Sequence, residues 1–416
     1  MCLPSCCPAI RKSSYLDVAT ARKSIRALVT GMIAMNAIER IQAAISLKPV
    51  SQTPVAPMII SFAGRCAGMT QAELFGCASQ WQRAMEITFE RVGQCDAVFP
   101  MWPRDAALSQ PLRALLPGRD LNHEAQFQLV EAEVMTRQDY ADIVKQGYSA
   151  WFASYQTRIR PDLSDTHLGR IKTTFGYIRQ GMRMRRNVAH WQRHGIPAMF
   201  YSACYPAFDL FSLARSLTPF CHDLRDCPKD IERACEVAIP SIIATAKIPL
   251  RITRGKRVCI FPMRSSASFI SPRLFERFAL PHLKRMVQAF VEDGIVSVLH
   301  CDGNWTPMLA YLRELPRASC IVELDGGTDI FKAKEILGDW LCLKGDVPAT
   351  LLAHGELAQV VEYCERLIRY VGCGGGFILS SGCEVPLDAK PENVAALIQV
   401  ARQTSFLCER KNGLDL

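Results

Sequence analysis

Short β-branched or aromatic runs alternate with longer amphipathic segments along most of this 416-residue chain, the pattern of βα units around a parallel sheet. Eight runs have strand character: residues 55–62, 97–102, 197–202, 257–262, 295–300, 319–324, 340–344 and 376–380. Helix punctuation is explicit between the last five. Ser271 and Pro272 supply a cap and a first-turn proline, and Asp329 precedes an apolar-periodic segment that Gly338 closes. Eight strands with intervening helices predict a (β/α)8 TIM barrel, an α/β fold. Such a barrel commonly takes about 250 residues. The surplus falls in an N-terminal extension, residues 1–35, and in a helical insertion between strands 2 and 3, within residues 103–195. No linker divides the remainder, so a single barrel over residues 36–408 is expected.

Composition narrows the class. Hydrophobic residues make up 49% and charged residues 21%, which is globular rather than disordered. The formal charge is +9, but residues 1–35 carry five cations (Arg11, Lys12, Arg22, Lys23, Arg26) against Asp17, leaving +5 on the rest. That mild balance lacks the clustered basic footprint of a nucleic-acid binder. The extension has the Arg- and Ser-containing, acid-poor character of a transit peptide, while Met32 and Met35 sit just before a helical pattern of Ile38, Ile41, Ala44 and Ile45. A dispensable or mis-started extension, a targeting segment and a docking arm all fit it. Eighteen cysteines would suggest disulfides in a short secreted chain, but many, such as Cys259, Cys320 and Cys342, lie in apolar runs where a thiol behaves as a small hydrophobe. With no long apolar core near the start, a reducing, cytoplasmic setting is expected. The most apolar stretch, residues 237–250, is broken by Pro240, Lys247 and Pro249, short of the ~18 residues of a membrane span.

In a TIM barrel the chemistry sits where strands end and βα loops begin, and the polar residues of this chain cluster there. Run five ends in His300-Cys301-Asp302-Gly303, run six in Glu323-Leu324-Asp325-Gly326 with Asp329 beyond, run seven in Lys344-Gly345-Asp346, and run eight in Ser380-Ser381-Gly382-Cys383-Glu384. Strand alternation puts His300 and Asp302 on one side and Cys301 on the other. With Cys383 leaning over the opening, an imidazole, a carboxylate and a thiolate would leave a tetrahedral Zn2+ one open position for substrate. The alternative is a hydrogen-bonded barrel histidine, a loop-capping aspartate and a buried thiol. The glycine-rich segment 372–376 precedes a strand and has no following Gly-Lys-Ser/Thr, so it is read as a turn rather than a phosphate cradle. Arg179, Arg183, Arg185, Arg186 and Arg193, with His190 and His194, form either a solvated helix face or a dock for an acidic partner. Trp191, Trp305, Phe208 and Phe211 are read as core or pocket wall.

The final third resembles the uroporphyrinogen decarboxylase superfamily, which includes decarboxylases and cobalamin-dependent methyltransferases. The resemblance rests on Ser268-Phe269-Ile270-Ser271-Pro272, on His300-x-Asp302-Gly303, on Thr328-Asp329 before Lys332-Ala333-Lys334-Glu335, on Leu343-Lys344-Gly345-Asp346-Val347, and on Gly374-Gly375-Gly376-Phe377-Ile378-Leu379 running into Gly382-Cys383-Glu384-Val385-Pro386. Weaker similarity extends forward through Pro206-Ala207-Phe208-Asp209 to Arg40-Ile41-Gln42-Ala43-Ala44. The resemblance implies a TIM barrel. Porphyrinogen decarboxylases carry Gly-His-Gly where this chain has Gly382-Cys383-Glu384, and an arginine-rich early loop where residues 59–65 offer only Arg65. The methyltransferase branch uses His-x-Cys on strand five and a later Cys as zinc ligands. His300 and Cys383 match it, Asp302 stands in the middle position, and Cys301 lies one position early. The resemblance therefore implies a methyltransferase that moves a methyl group between a corrinoid and a thiol or tetrahydrofolate, with zinc held by His300, Asp302 or Cys301, and Cys383. The corrinoid would be carried by a partner protein, since this chain has no Asp-x-His-x-x-Gly segment. For a tetrahydrofolate acceptor, Asp302, Asp325, Asp329 and Asp346 are the candidate acids or pterin ligands. A decarboxylase of a carboxylated tetrapyrrole and a catalytically silent tetrapyrrole- or corrinoid-binding barrel are the competing readings.

Overall fold

The structure, a computed structural model, describes residues 35–403 apart from 109, 161, 164 and 165. The N-terminal extension ahead of residue 35, and the end of the expected barrel beyond 403, lie outside the described residues. Six parallel strands run in the order β3 (Ser202–Cys204), β4 (Arg257–Ile260), β5 (Val296–Cys301), β6 (Cys320–Leu324), β7 (Cys342–Val347) and β8 (Phe377–Ser381). The ring is closed by two extended segments that make isolated bridges rather than ladders: Val55 pairs with Leu379, and Val98 pairs with Ala198. Between the two segments, the Asp96 N–H donates to the Val55 carbonyl at 2.7 Å. All eight expected strand positions are thus present, but the first two are shortened. Pro54 and Pro57 flank the first segment and Pro100 follows the second, and a proline cannot donate to a ladder. Ser61 and Phe62, expected at the end of the first run, instead begin the helix Ser61–Cys66.

The N-terminal end of the barrel is filled from outside the ring. Helix Ala37–Ile45 is started by a capping box between Asn36 and Glu39. Its Ile41, Ala44 and Ile45 pack against the inward-facing Cys259, Val298, Ile321, Cys342 and Ile378. Ile38, the other member of the expected stripe, faces solvent. Buried Asp96 binds this assembly together: its carboxylate takes the Val55 N–H at 2.8 Å and pairs with Arg40 and Arg402, from the first and last described helices. The free thiols Cys320 and Cys342 are fully buried, and burial pushes both up to about 12, so they serve as packing groups.

The segment between the second and third staves is largely helical, as its sequence suggests: Pro103–Leu108, Gln138–Gln146, Tyr148–Ile159 and His167–Arg193. It also contains an antiparallel hairpin, β1 (Arg113–Leu115) with β2 (Gln128–Val130), which the sequence reading did not anticipate. Three-residue strands with β2 exposed throughout leave no hydrophobic alternation to detect. No helix of the described residues is long and apolar enough to cross a membrane.

Candidate metal centre at the barrel mouth

Strands β5, β6 and β7 repeat one inward-facing pattern: Val298-x-His300-x-Asp302, Ile321-x-Glu323-x-Asp325 and Cys342-x-Lys344-x-Asp346. The period of two carries each strand from an apolar layer to a charged one and then to an aspartate at the mouth. Register aligns the middle layer, with His300 opposite Glu323 and Glu323 opposite Lys344. Both Glu323 and Lys344 are 1% exposed and form a direct ion pair. Burial favours a neutral Glu323, but the Lys344 ammonium and His300 outweigh it and hold the carboxyl down to about 2. Glu323 Oε2 lies 3.2 Å from His300 Nδ1, without the alignment of a full hydrogen bond.

At the other ring nitrogen, His300 Nε2 lies 3.1 Å from Asp302 Oδ1 and 3.7 Å from Cys383 Sγ. Ligand atoms of His300, Asp302 and Cys383 all fall within 4.8 Å of one another, and among the described residues this trio is the cluster able to hold a metal ion. Burial opposes a charge on His300, but Asp302, Cys383 and Glu323 outweigh it and push the imidazole pKa well up. Cys383 reaches the trio because its loop is pinned from two sides. The Ser381 hydroxyl donates to the Cys383 carbonyl at 2.6 Å, and the Ser61 N–H donates to Glu384 Oε1 at 2.7 Å. Gly382 must remain glycine, since a Cβ there would stand 2.6 Å from the Asp325 carbonyl oxygen. Phe261 presents its ring edge-on to His300 at 5.4 Å and is itself stacked on Tyr205, forming an apolar wall beside the imidazole.

The remaining expected site residues are placed differently. Cys301 is 1% exposed and packs outward among the hydrophobic groups between strands and helices, as alternation requires, so its thiol lies outside the trio. Asp325 accepts from the Gly303 and Gly327 N–H groups, each at 2.7 Å, and ties two mouth loops together. Asp329 caps helix Ile330–Leu337 by accepting from the Phe331 and Lys332 N–H groups. Asp346 is buried and accepts from the Tyr363 hydroxyl at 2.9 Å, and burial pushes its carboxyl up to about 6. Phe261 and Tyr205 were absent from the expected site, whereas Glu323 and Lys344 stood among its strand-end polar residues without an assigned role. The threefold apolar-x-charged-x-Asp repeat was the available signal for Glu323 and Lys344; nothing local marked the two aromatics.

A TIM barrel with titratable side chains gathered at the C-terminal ends of its strands is the architecture of an enzyme. Residues 203–404 match the model of the family described as Uroporphyrinogen decarboxylase (URO-D). Nearly half of the chain is thus similar to the uroporphyrinogen decarboxylase superfamily. Over 148 residues it is 31% identical to a uroporphyrinogen decarboxylase of Chlorobium luteolum, covering 34% of this chain and 40% of that one. Over 149 residues it is 24% identical to the methylcobamide:CoM methyltransferase MtbA of Methanosarcina acetivorans, covering 36% of this chain and 42% of that one. The matched part thus spans about two fifths of the length of these curated relatives. A solved methyltransferase from Methanosarcina mazei superposes with a TM-score of 0.65 at 16% identity, covering 89% of this chain and 99% of that one, which establishes the shared fold.

Proposed function

We propose that the chain is a zinc-assisted methyltransferase that moves a methyl group between a corrinoid, held on a partner protein, and a thiol or tetrahydrofolate acceptor. The observation that carries this reading is the convergence of His300, Asp302 and Cys383 at the barrel mouth. One nitrogen, one carboxylate oxygen and one thiolate sulfur suit Zn2+, and three protein ligands leave a fourth position open. Zinc bound there would lower the pKa of a thiol acceptor and hold it as a thiolate nucleophile. Asp302 in place of a second thiolate makes the donor set harder.

The chain's own residues contribute the rest. Glu323 lies against His300 Nδ1 and directs Nε2 toward Asp302 and Cys383, the arrangement by which a carboxylate orients a metal-binding histidine. Lys344 keeps Glu323 ionised in an otherwise dry layer. His300, whose pKa is raised, would have to give up its proton to hold a metal. For a tetrahydrofolate acceptor, proton exchange falls to Asp346, because Asp325 and Asp329 are committed to backbone N–H groups.

A decarboxylase reading is favoured by the curated relatives named uroporphyrinogen decarboxylase. Against it, Arg65, the lone arginine of the early loop, donates to the Leu387 carbonyl at 3.1 Å. Metal analysis of the purified protein tests the proposal. Near-unit zinc in the wild type and its loss in Cys383→Ala support it; no zinc in the wild type, or an unchanged content in the variant, refutes the zinc site. Incubation with methylcobalamin and either a thiol or tetrahydrofolate, followed optically for Co(I), then tests methyl transfer, and carbon dioxide release from uroporphyrinogen would favour the decarboxylase instead.

A further inference from the structure

Helix His167–Arg193 behaves as two halves. Its second half is anchored: Met184, Val188 and Trp191 are buried, and Arg183 pairs with Asp105 at 2.7 Å. In its first half, every described side chain from Ile171 through Arg179 is exposed. That half nevertheless carries Leu168, Ile171, Phe175, Ile178 and Met182, between 43% and 65% exposed. Their spacing of three and four residues is a coiled-coil a/d seam about 21 Å long. At 100° per residue the seam lies roughly 150° around the helix from the Met184, Val188 and Trp191 face, so the barrel that anchors the helix cannot cover it. A contiguous apolar stripe left in water marks an interaction site.

Charge selects the occupant. No acidic residue occurs between His167 and Arg193. Exposed Lys172, Arg179 and Arg186 follow one edge of the seam by helical periodicity, and exposed Arg185 lies on the other. A second copy of the helix, paired antiparallel about Phe175, would set Lys172 against Arg179 of its mate, like charge on like. Residues 1–35, with five cations to one acid, meet the same repulsion. We infer that the Leu168–Met182 seam docks an acidic amphipathic helix of another protein, with apolar side chains along the seam and glutamates or aspartates beside Lys172, Arg179, Arg185 and Arg186. The inference does not depend on the proposed reaction.

The full chain is titrated, by fluorescence anisotropy, with a labelled synthetic helix of about three heptads bearing leucine at a and d and glutamate at e and g. Expected are saturable binding, at least tenfold weakening in the Phe175→Glu, Ile178→Glu double variant, and weakening as salt rises from about 50 to 500 mM. A matched peptide with lysine at e and g should not bind. Because both substituted side chains are exposed, unchanged circular dichroism of the variant confirms that folding is intact. Failure of the acidic peptide to bind, or equal binding by the variant, overturns the inference. A seam-dependent dimer in sedimentation, or seam-dependent binding to anionic phosphatidylserine vesicles, overturns it in favour of a second copy or a lipid surface.

Discussion

Replacing Lys344 by methionine removes the cation that neutralises Glu323 while keeping most of the volume of a side chain that is 1% exposed. Glu323 is left with neither oxygen well satisfied, because Oε2 already lacks an aligned hydrogen-bond partner. Breaking a buried pair from one side costs about 3–5 kcal/mol. Linkage leads to a similar figure: the Glu323 carboxyl stands at about 2 against an ordinary 4.5, which corresponds to roughly 3 kcal/mol. Since the folded pKa is depressed, that stabilisation is present above pH 4.5 and is lost as pH falls through about 2. Equilibrium urea unfolding of Lys344→Met at neutral pH should therefore show a loss of about 3 kcal/mol or more. The double variant Glu323→Gln, Lys344→Met should recover most of this loss, since no buried charge is then unpaired. Its zinc affinity should nonetheless fall about 10- to 100-fold, because His300 then lacks the carboxylate beside its Nδ1. A loss below about 1 kcal/mol in the single variant, or a double variant less stable than the single, would refute the idea that the ion pair is a mutually dependent unit.

Two further perturbations probe the scaffold. Asp96→Ala leaves Arg40 and Arg402 without their shared buried carboxylate and the Val55 N–H without its acceptor; denaturation should register a loss of about 3–5 kcal/mol, and a loss under about 1 would show that the ring closes without this clasp. Asp209 is fully buried, accepts from the Arg264 N–H and the Ser265 hydroxyl, and is pushed up by burial to about 7 from an ordinary 3.8. Its contribution to stability is complete below pH 3.8 and lost as pH rises through about 7, at most roughly 4 kcal/mol. Asp209→Asn should flatten the decline in unfolding free energy between pH 4 and about 7, and an unchanged slope would exclude Asp209 as its source.

Much of the barrel could be read along the chain because its local signals agree. The cap at Ser271, the cap at Asp329 and the stop at Gly338 are where punctuation placed them, and the last five strand positions match within a few residues. The first two staves were visible as apolar runs, but their reduction to bridges follows from prolines that remove ladder donors. Strand alternation also foretold that Cys301 would face away from His300 and Asp302.

Order, periodicity and residue type along the chain were enough to specify an α/β barrel, its mouth, and three of the side chains gathered there. Which of the mouth aspartates are free to act was settled only by folding. Asp329 takes the helix-cap N–H groups that its own sequence sets beside it, whereas the Gly303 N–H that Asp325 also accepts, and the Cys383 thiol that Asp302 meets, come from segments distant in the chain. The Glu323–Lys344 pair and the solvent-facing seam of Leu168 to Met182 belong to the same class. Each depends on inter-strand register or on which helical face the barrel leaves uncovered, and these are properties of neighbours distant in sequence rather than of any local pattern.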